Sequence, residues 1–180
     1  EYAPILVVHP IHGAYMKYKK GTGSLSEIEG HFFGLSRLLG QNQIPYHYGD
    51  ENLMKKYARV EGGRLIVGEC TYDAVVIPFT YSLDHETCAL LAQGGKLWLY
   101  QDAPACVDGE AADLSWLRAN ITFEELLAYR DAVIERDGKN VDALRKMTRS
   151  LADGSRLVFV TNITENTLDD VTIFFPGAKT

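Results

Sequence analysis

The sequence has 180 residues, 46% hydrophobic and 23% charged, the size and balance of a globular domain that needs neither disulfides nor a metal to hold a core. The 18 Lys and Arg against 24 Asp and Glu give a net charge of -6, which argues against nucleic acid as a partner, because affinity for a phosphate backbone comes from clustered cations. No apolar run approaches the ~20 residues that cross a bilayer, so no membrane partner is expected either.

The N-terminus lacks the charged, apolar and small-residue regions of a signal peptide, and the chain reads as soluble, with a bacterial cytoplasm or periplasm both open. It opens at Glu1 and enters a strand almost at once, which reads as a piece of a longer protein. Cys70, Cys88 and Cys106 are spaced 18 residues apart with no CxxC pair, so they are expected to be reduced and mostly buried rather than metal-bound or bridged.

PILVVH at residues 4–9 has the pattern of a strand buried on both faces in a parallel sheet. A polar loop is expected through Gly23. Leu25, Ile28, Phe32, Leu35 and Leu39 then recur at helical spacing, with Ser24 and Glu27 as a capping box and Gly40 as a terminator. IPYHY at 44–48 reads as a second strand, with a short helix from Asn52. Gly62 and Gly63 between two extended runs predict a tight hairpin. YDAVVIP at 72–78 is another buried strand, Ser82 is expected to cap a helix to about Gln93, and KLWLY at 96–100 is the next strand. Residues 102–120 read as loop. Thr122 and Glu125 form a capping box for a helix to about Glu135, and another short helix is expected over 141–150. RLVFVT at 156–161 and VTIFF at 171–175 have no helix between them and should pair antiparallel.

This order predicts an α/β fold, a three-layer open parallel sheet over residues 1–150, followed at 151–180 by an antiparallel β-hairpin on its edge or at the start of a truncated β-sandwich. Ligands of such sheets sit beyond the carboxyl ends of the strands. That rule selects His9, His12, Asp50, Glu51, Tyr81 and Asp102 as candidate ligand-binding residues; a solvated polar rim explains the same residues equally well. His9 and His12 do not read as a metal pair, because HxxH spacing suits a helix and Pro10 disfavours helix at His9. Gly21 to Ser24 lack the spacing of a phosphate loop. No Cys or Ser sits at a strand-to-helix elbow. No catalytic residue, metal or cofactor is therefore expected.

In their order, ILVVHP, LSRLLG, PYHYGDENLM, GRLIVGECTYDAVVIPFTYSLDHET and GGKLWLY resemble the flavodoxin-like, class I glutamine-amidotransferase-like accessory domain of large bacterial glycoside hydrolases. The types in question are the α-L-rhamnosidases and the related β-galactosidase trimerisation domain. The resemblance covers roughly residues 3 to 105, and RLVFVTNITENTLDDVTIFFPG is similar to the opening hairpin of the β-sandwich that follows in such enzymes. It implies a non-catalytic accessory or assembly domain of a carbohydrate-active enzyme. Its partners would be a catalytic barrel of the same parent chain, a carbohydrate and a homo-oligomer. No catalytic residue carries over, and the absence of an elbow cysteine departs from the amidotransferase pattern. Two other readings stand beside this one: a sugar- or phosphate-binding module using the strand-end loops, and an independent hydrolase or transferase.

Overall fold

A computed structural model describes residues 1–176. The chain begins with β1 (Ile5–His9), the short helix α1 (Ile11–Lys17), α2 (Ser26–Gln41), β2 (Tyr46–Asp50) and α3 (Glu51–Tyr57). An antiparallel excursion, β3 (Ala58–Glu61), β4 (Arg64–Val67) and β5 (Cys70–Tyr72), leads into β6 (Ala74–Ile77). There follow β7 (Ser82–Leu83), α4 (His85–Leu91), β8 (Lys96–Leu99), β9 (Cys106–Val107) and β10 (Glu110–Ala111). The chain continues with α5 (Phe123–Leu127), β11 (Val133–Arg136), β12 (Lys139–Asn140), β13 (Leu144–Ser150), β14 (Arg156–Asn162) and β15 (Thr172–Phe174).

The fold is mixed α/β. Strands β2-β1-β6-β8 form a four-stranded sheet, parallel throughout, accompanied by small antiparallel sheets. Successive strand residues point to opposite faces, and here both faces are apolar. Leu6, Val8, Val75 and Ile77 join Met54 of α3 and Leu91 of α4 in one buried cluster. Ile5, Val7, Ala74 and Val76 join Leu35 and Leu39 of α2 and Leu126 of α5 in another. At Gly49 β2 lies hard against the first cluster: a Cβ there would lie 2.6 Å from Leu6 Cδ2 and 2.9 Å from Met54 Sδ.

The Gly62–Gly63 hairpin forms as expected, with φ of 57° and 73°, as does the Thr122–Glu125 capping box. Several expectations are corrected. The segment after β1 is not all loop, because Pro10 precedes the first turn of α1 and its carbonyl accepts from Ala14 N–H at 3.1 Å. Ser24 does not cap α2; its hydroxyl accepts from Lys19 N–H at 2.8 Å, and Leu25 occupies the cap position without a side-chain bond. Gly40 lies within α2, which runs to Gln41. Asp84, not Ser82, caps α4.

The helix from Thr122 stops at Leu127, and Val133–Arg136 is a strand folded onto β12 through Asp137 and Gly138, with φ of 54° and 70°. An Asp-Gly pair of that conformation is a two-residue hairpin turn. Residues 144–150 form a strand rather than a helix. Leu144, Lys146 and Thr148 alternate inward there while Arg145 and Arg149 face out, and so polar an inward row hides its period of two. Finally, β14 and β15 do not pair with each other: β14 pairs with β13 and β15 with β11, all antiparallel. The β13–β14 hairpin joins the two sides of residue 150, and residues 177–180 of the expected C-terminal unit lie outside the described residues.

This antiparallel part closes the amino end of the parallel sheet. Buried Gln43 precedes β2; its amide donates to Ile134 O and accepts from Ile134 N–H, both at 2.7 Å. Tyr2 N–H donates to Thr148 O at 2.7 Å. Lys146 bonds to the Asp131 carboxylate and to Ala132 O, with the two ionic side chains only 7% and 1% exposed. Burial opposes the charged form of Asp131, but the hydrogen bond and charge of Lys146 outweigh it and hold the carboxyl below its ordinary value.

Removing one partner of a buried pair strands the other charge, so Lys146→Ala should cost about 3–5 kcal/mol in chemical denaturation. The depressed Asp131 value has a definite sign: its stabilisation is present above the unfolded carboxylate pKa of about 4 and is lost as pH falls further, through the lower folded value. A stability-pH profile of Asp131→Asn should lack that acid-side loss.

Candidate functional site

At the opposite, carboxyl end of the sheet, three segments converge: helix α1 after β1, the start of α4, and the turn at Asp108–Gly109 between β9 and β10. Short parallel pairing of β7 with β9 sets the last of these. Asp108 N–H donates to Leu83 O at 2.9 Å and Gly109 N–H to Ser82 Oγ at 3.0 Å. Helix α1 lies against the same segment so closely that a Cβ on Gly13 would sit 2.2 Å from Thr80 Oγ1 and 3.1 Å from Ser82 O.

Glu51 holds these pieces together. It is the first residue of α3 and is 3% exposed. Its Oε2 accepts from His12 N–H at 3.3 Å and its Oε1 from Asp84 N–H at 2.9 Å. Burial pushes the carboxyl above its ordinary value, and the two backbone donors pull it back part of the way. A buried carboxylate is tolerated when hydrogen bonds replace its hydration.

Around Glu51 lies a cluster of imidazoles and carboxylates. Asp84 Oδ1 accepts from the N–H groups of Glu86 and Thr87, at 2.9 and 3.4 Å. Asp108 Oδ1 accepts from His85 N–H at 3.2 Å, and Asp108 Oδ2 lies 2.6 Å from His85 Nδ1. His12 Nε2 is 3.4 Å from Asp108 Oδ1. Lys55 pairs with Glu86 at 2.6 Å. Burial pushes the nearby Cys88 thiol up to about 11, helped by the carboxylates of Glu51, Asp108 and Asp84, which makes it a poor nucleophile. Of the other cysteines, Cys70 is exposed and Cys106 half-buried, so only Cys88 fits the expectation of buried thiols. Among the described residues no serine, threonine or cysteine side chain hydrogen-bonds an imidazole, so no nucleophile-base pair is assembled. What gathers here is imidazole nitrogens and carboxylate oxygens, atoms of the kind that can ligate a cation.

Of the residues selected from the sequence, the fold brings His12 and Glu51 together. Asp50 sits beside them, but its carboxylate caps α3 by accepting from Asn52 and Leu53 N–H at 2.9 and 3.1 Å. His9 is elsewhere, its ring edge-on to Phe32 at 5.2 Å and lining an apolar hollow of about 280 Å³ with Ile11, Leu25 and Phe33. Tyr81 donates its hydroxyl to Glu27 and carries Lys17 Nζ 4.1 Å over its ring. Asp102 is exposed beyond β8. Sequence reasoning missed Asp84, His85, Glu86 and Asp108. Two signals were available: Asp84 as an acidic N-cap before HETCALL, and the Asp108–Gly109 turn dipeptide.

The chain matches no protein-family model, no curated protein and no solved structure.

Glu51→Ala leaves two backbone donors without their acceptor and should destabilise by about 2–4 kcal/mol in urea unfolding, with Glu51→Gln milder because one acceptor survives. Gly13→Ala should also lower Tm, because α1 must lift off the buried Thr80; an unchanged Tm would show that α1 is not tightly seated.

Proposed function

We propose that this chain is a non-catalytic accessory or assembly domain of a carbohydrate-active enzyme, a glycoside hydrolase of the α-L-rhamnosidase kind. In this reading the strand order β2-β1-β6-β8, with core clusters on both faces, is a flavodoxin-like three-layer arrangement. The observation that carries the accessory role is an uncovered apolar β-surface. Met147 and Phe159 face each other across the β13–β14 ladder, with Leu157 two residues along the same side, and they are 40%, 46% and 45% exposed. Ile173 and Phe174 of β15 are exposed as well. Neighbouring apolar side chains of this kind mark a protein-protein contact, and the resemblance names its occupant: the catalytic barrel or β-sandwich of the same parent chain. The strand-end carboxylates support the reading from the other side, since Asp50, Glu51 and Asp84 are engaged in caps and loop bridges.

A specific observation favours a second reading, a small-ligand module. Beyond β6 lies a cavity of about 590 Å³ lined by Lys17, Lys19, Phe79, Thr80 and Tyr81, which combines aromatic faces for a sugar ring with ammonium groups for a phosphate. Calorimetry with monosaccharides and inorganic phosphate separates it from the first reading, for which no binding heat is needed.

The test of the first reading has two arms. The purified 180-residue chain should turn over no aryl rhamnoside or galactoside, and the coding sequence around it should continue into a barrel-sized segment. In that longer product Leu157→Asp with Phe159→Asp should lower Tm, while the same pair of changes leaves the 180-residue chain's Tm unchanged. Hydrolysis by the short chain that disappears in Asp50→Asn or Glu51→Gln would sink the proposal.

A further inference from the structure

We propose that His12, Asp84 and Asp108 form a binding site for a divalent transition-metal cation. One imidazole nitrogen and two carboxylate oxygens, from three separate segments of the chain, lie within 4.8 Å of one another. The observation that lifts this above an acidic cluster is His12 Nε2. It is shielded from solvent yet has no hydrogen-bond partner, whereas a buried polar atom ordinarily has one. Its nearest charged neighbour, Asp108 Oδ1, stands at 3.4 Å, outside the 2.7–2.9 Å of a charge-assisted bond.

The remaining groups hold these donors in place. The Glu51 carboxylate fixes the backbone N–H of both His12 and Asp84. His85 holds Asp108 through its own backbone N–H and Nδ1. Asp84 caps α4 through Oδ1 alone, and its Oδ2 makes no hydrogen bond among the described residues. The charge balance points the same way: Glu51, Asp84, Glu86 and Asp108 gather here, and Lys55 answers only Glu86.

An imidazole with two carboxylates suits Zn²⁺ or Mn²⁺ better than Mg²⁺, which prefers an all-oxygen octahedron and gives up its waters reluctantly. Three protein donors leave further positions to water. A second grouping, Asp84, His85 and Glu86, lies alongside, but His85 is 59% exposed against 29% for His12, and Glu86 is paired with Lys55. Bound at the first grouping, the cation would tie α1, the start of α4 and the 108–109 turn together. This site does not depend on the accessory reading, because cation binding is measured without any glycoside or partner domain.

The test is titration of the metal-stripped chain with Zn²⁺ by calorimetry, in a Cys70→Ser background because that thiol is exposed and would compete. The expected result is one equivalent bound, a higher Tm with Zn²⁺ present and no heat with Mg²⁺. His12→Gln and Asp108→Asn should each weaken binding at least about tenfold, since each removes a donor, while His9→Gln, whose ring lies elsewhere against Phe32, retains it. Imidazole ¹⁵N NMR of the Cys70→Ser chain gives a readout that needs no ligand variant: Zn²⁺ should shift the His12 Nε2 resonance and leave His9 and His31 in place. No Zn²⁺ heat, an unmoved His12 signal, or binding kept with His12→Gln would each overturn the proposal.

Discussion

Strands β1 and β6 have no side that water can touch, and the rest of the structure follows from that constraint. Ile5 to Val8 and Ala74 to Ile77 are at most 5% exposed, so each face of the sheet needs its own cover, and the chain must cross over between parallel strands to provide it. Every crossover delivers a loop to one edge of the sheet or the other. At the amino edge the loops are sealed by Gln43 on Ile134, by Tyr2 on Thr148 and by the Asp131–Lys146 pair. That leaves the carboxyl edge as the place where polar side chains from distant parts of the sequence meet.

What organises that edge is one buried carboxylate. Asp50 and Glu51 are adjacent in sequence and at the same strand end, yet their roles divide. Asp50 bonds within its own helix, whereas Glu51 turns inward and bonds to segments 39 and 33 residues away. A carboxylate deprived of water seeks donors, and two backbone N–H groups on separate elements are what α1 and the α4 cap supply. The backbones at His12 and Asp84 are thus tied together through Glu51. Gly13 is the steric counterpart of this tie, since only a residue without a Cβ lets α1 come close enough for His12 to reach Glu51.

The parallel core was legible because ILVVH and AVVI are apolar on both faces, and the Gly62–Gly63 hairpin because few residues other than glycine populate positive φ. The second half was not. Residues 144–150 contain good helix formers, and their strand period is hidden because the inward row carries Lys146 and Thr148, whose burial makes sense only once Asp131 and the backbone of Tyr2 are in place. A helix run on to about Glu135 overlaps the strand Val133–Arg136, although Asp137–Gly138 marks a turn just after it. At the site, strand ends pointed to His12 and Glu51. They could not point to Asp84 or Asp108, which reach the cluster through a helix cap and a two-residue turn rather than from a strand of the main sheet.

The β13–β14 hairpin is mixed in polarity on both of its faces. In a hairpin lying on a core with its other face in water, the apolar row faces in and the charged row out. Here Lys146 and Thr148 face in together with Leu144 and Val158, while Met147, Leu157 and Phe159 face out beside Arg145 and Arg149. Lys146 is answered by Asp131 and Ala132 O, and the Thr148 carbonyl by Tyr2 N–H, so these contacts lie within the chain. The outward apolar row has no such explanation within the chain: it lowers free energy only when another apolar surface covers it. The accessory role proposed above would supply such a cover. The carboxyl-edge cluster, at the other end of the sheet, has its cross-links inside the chain, through Glu51 and through Asp108 on His85.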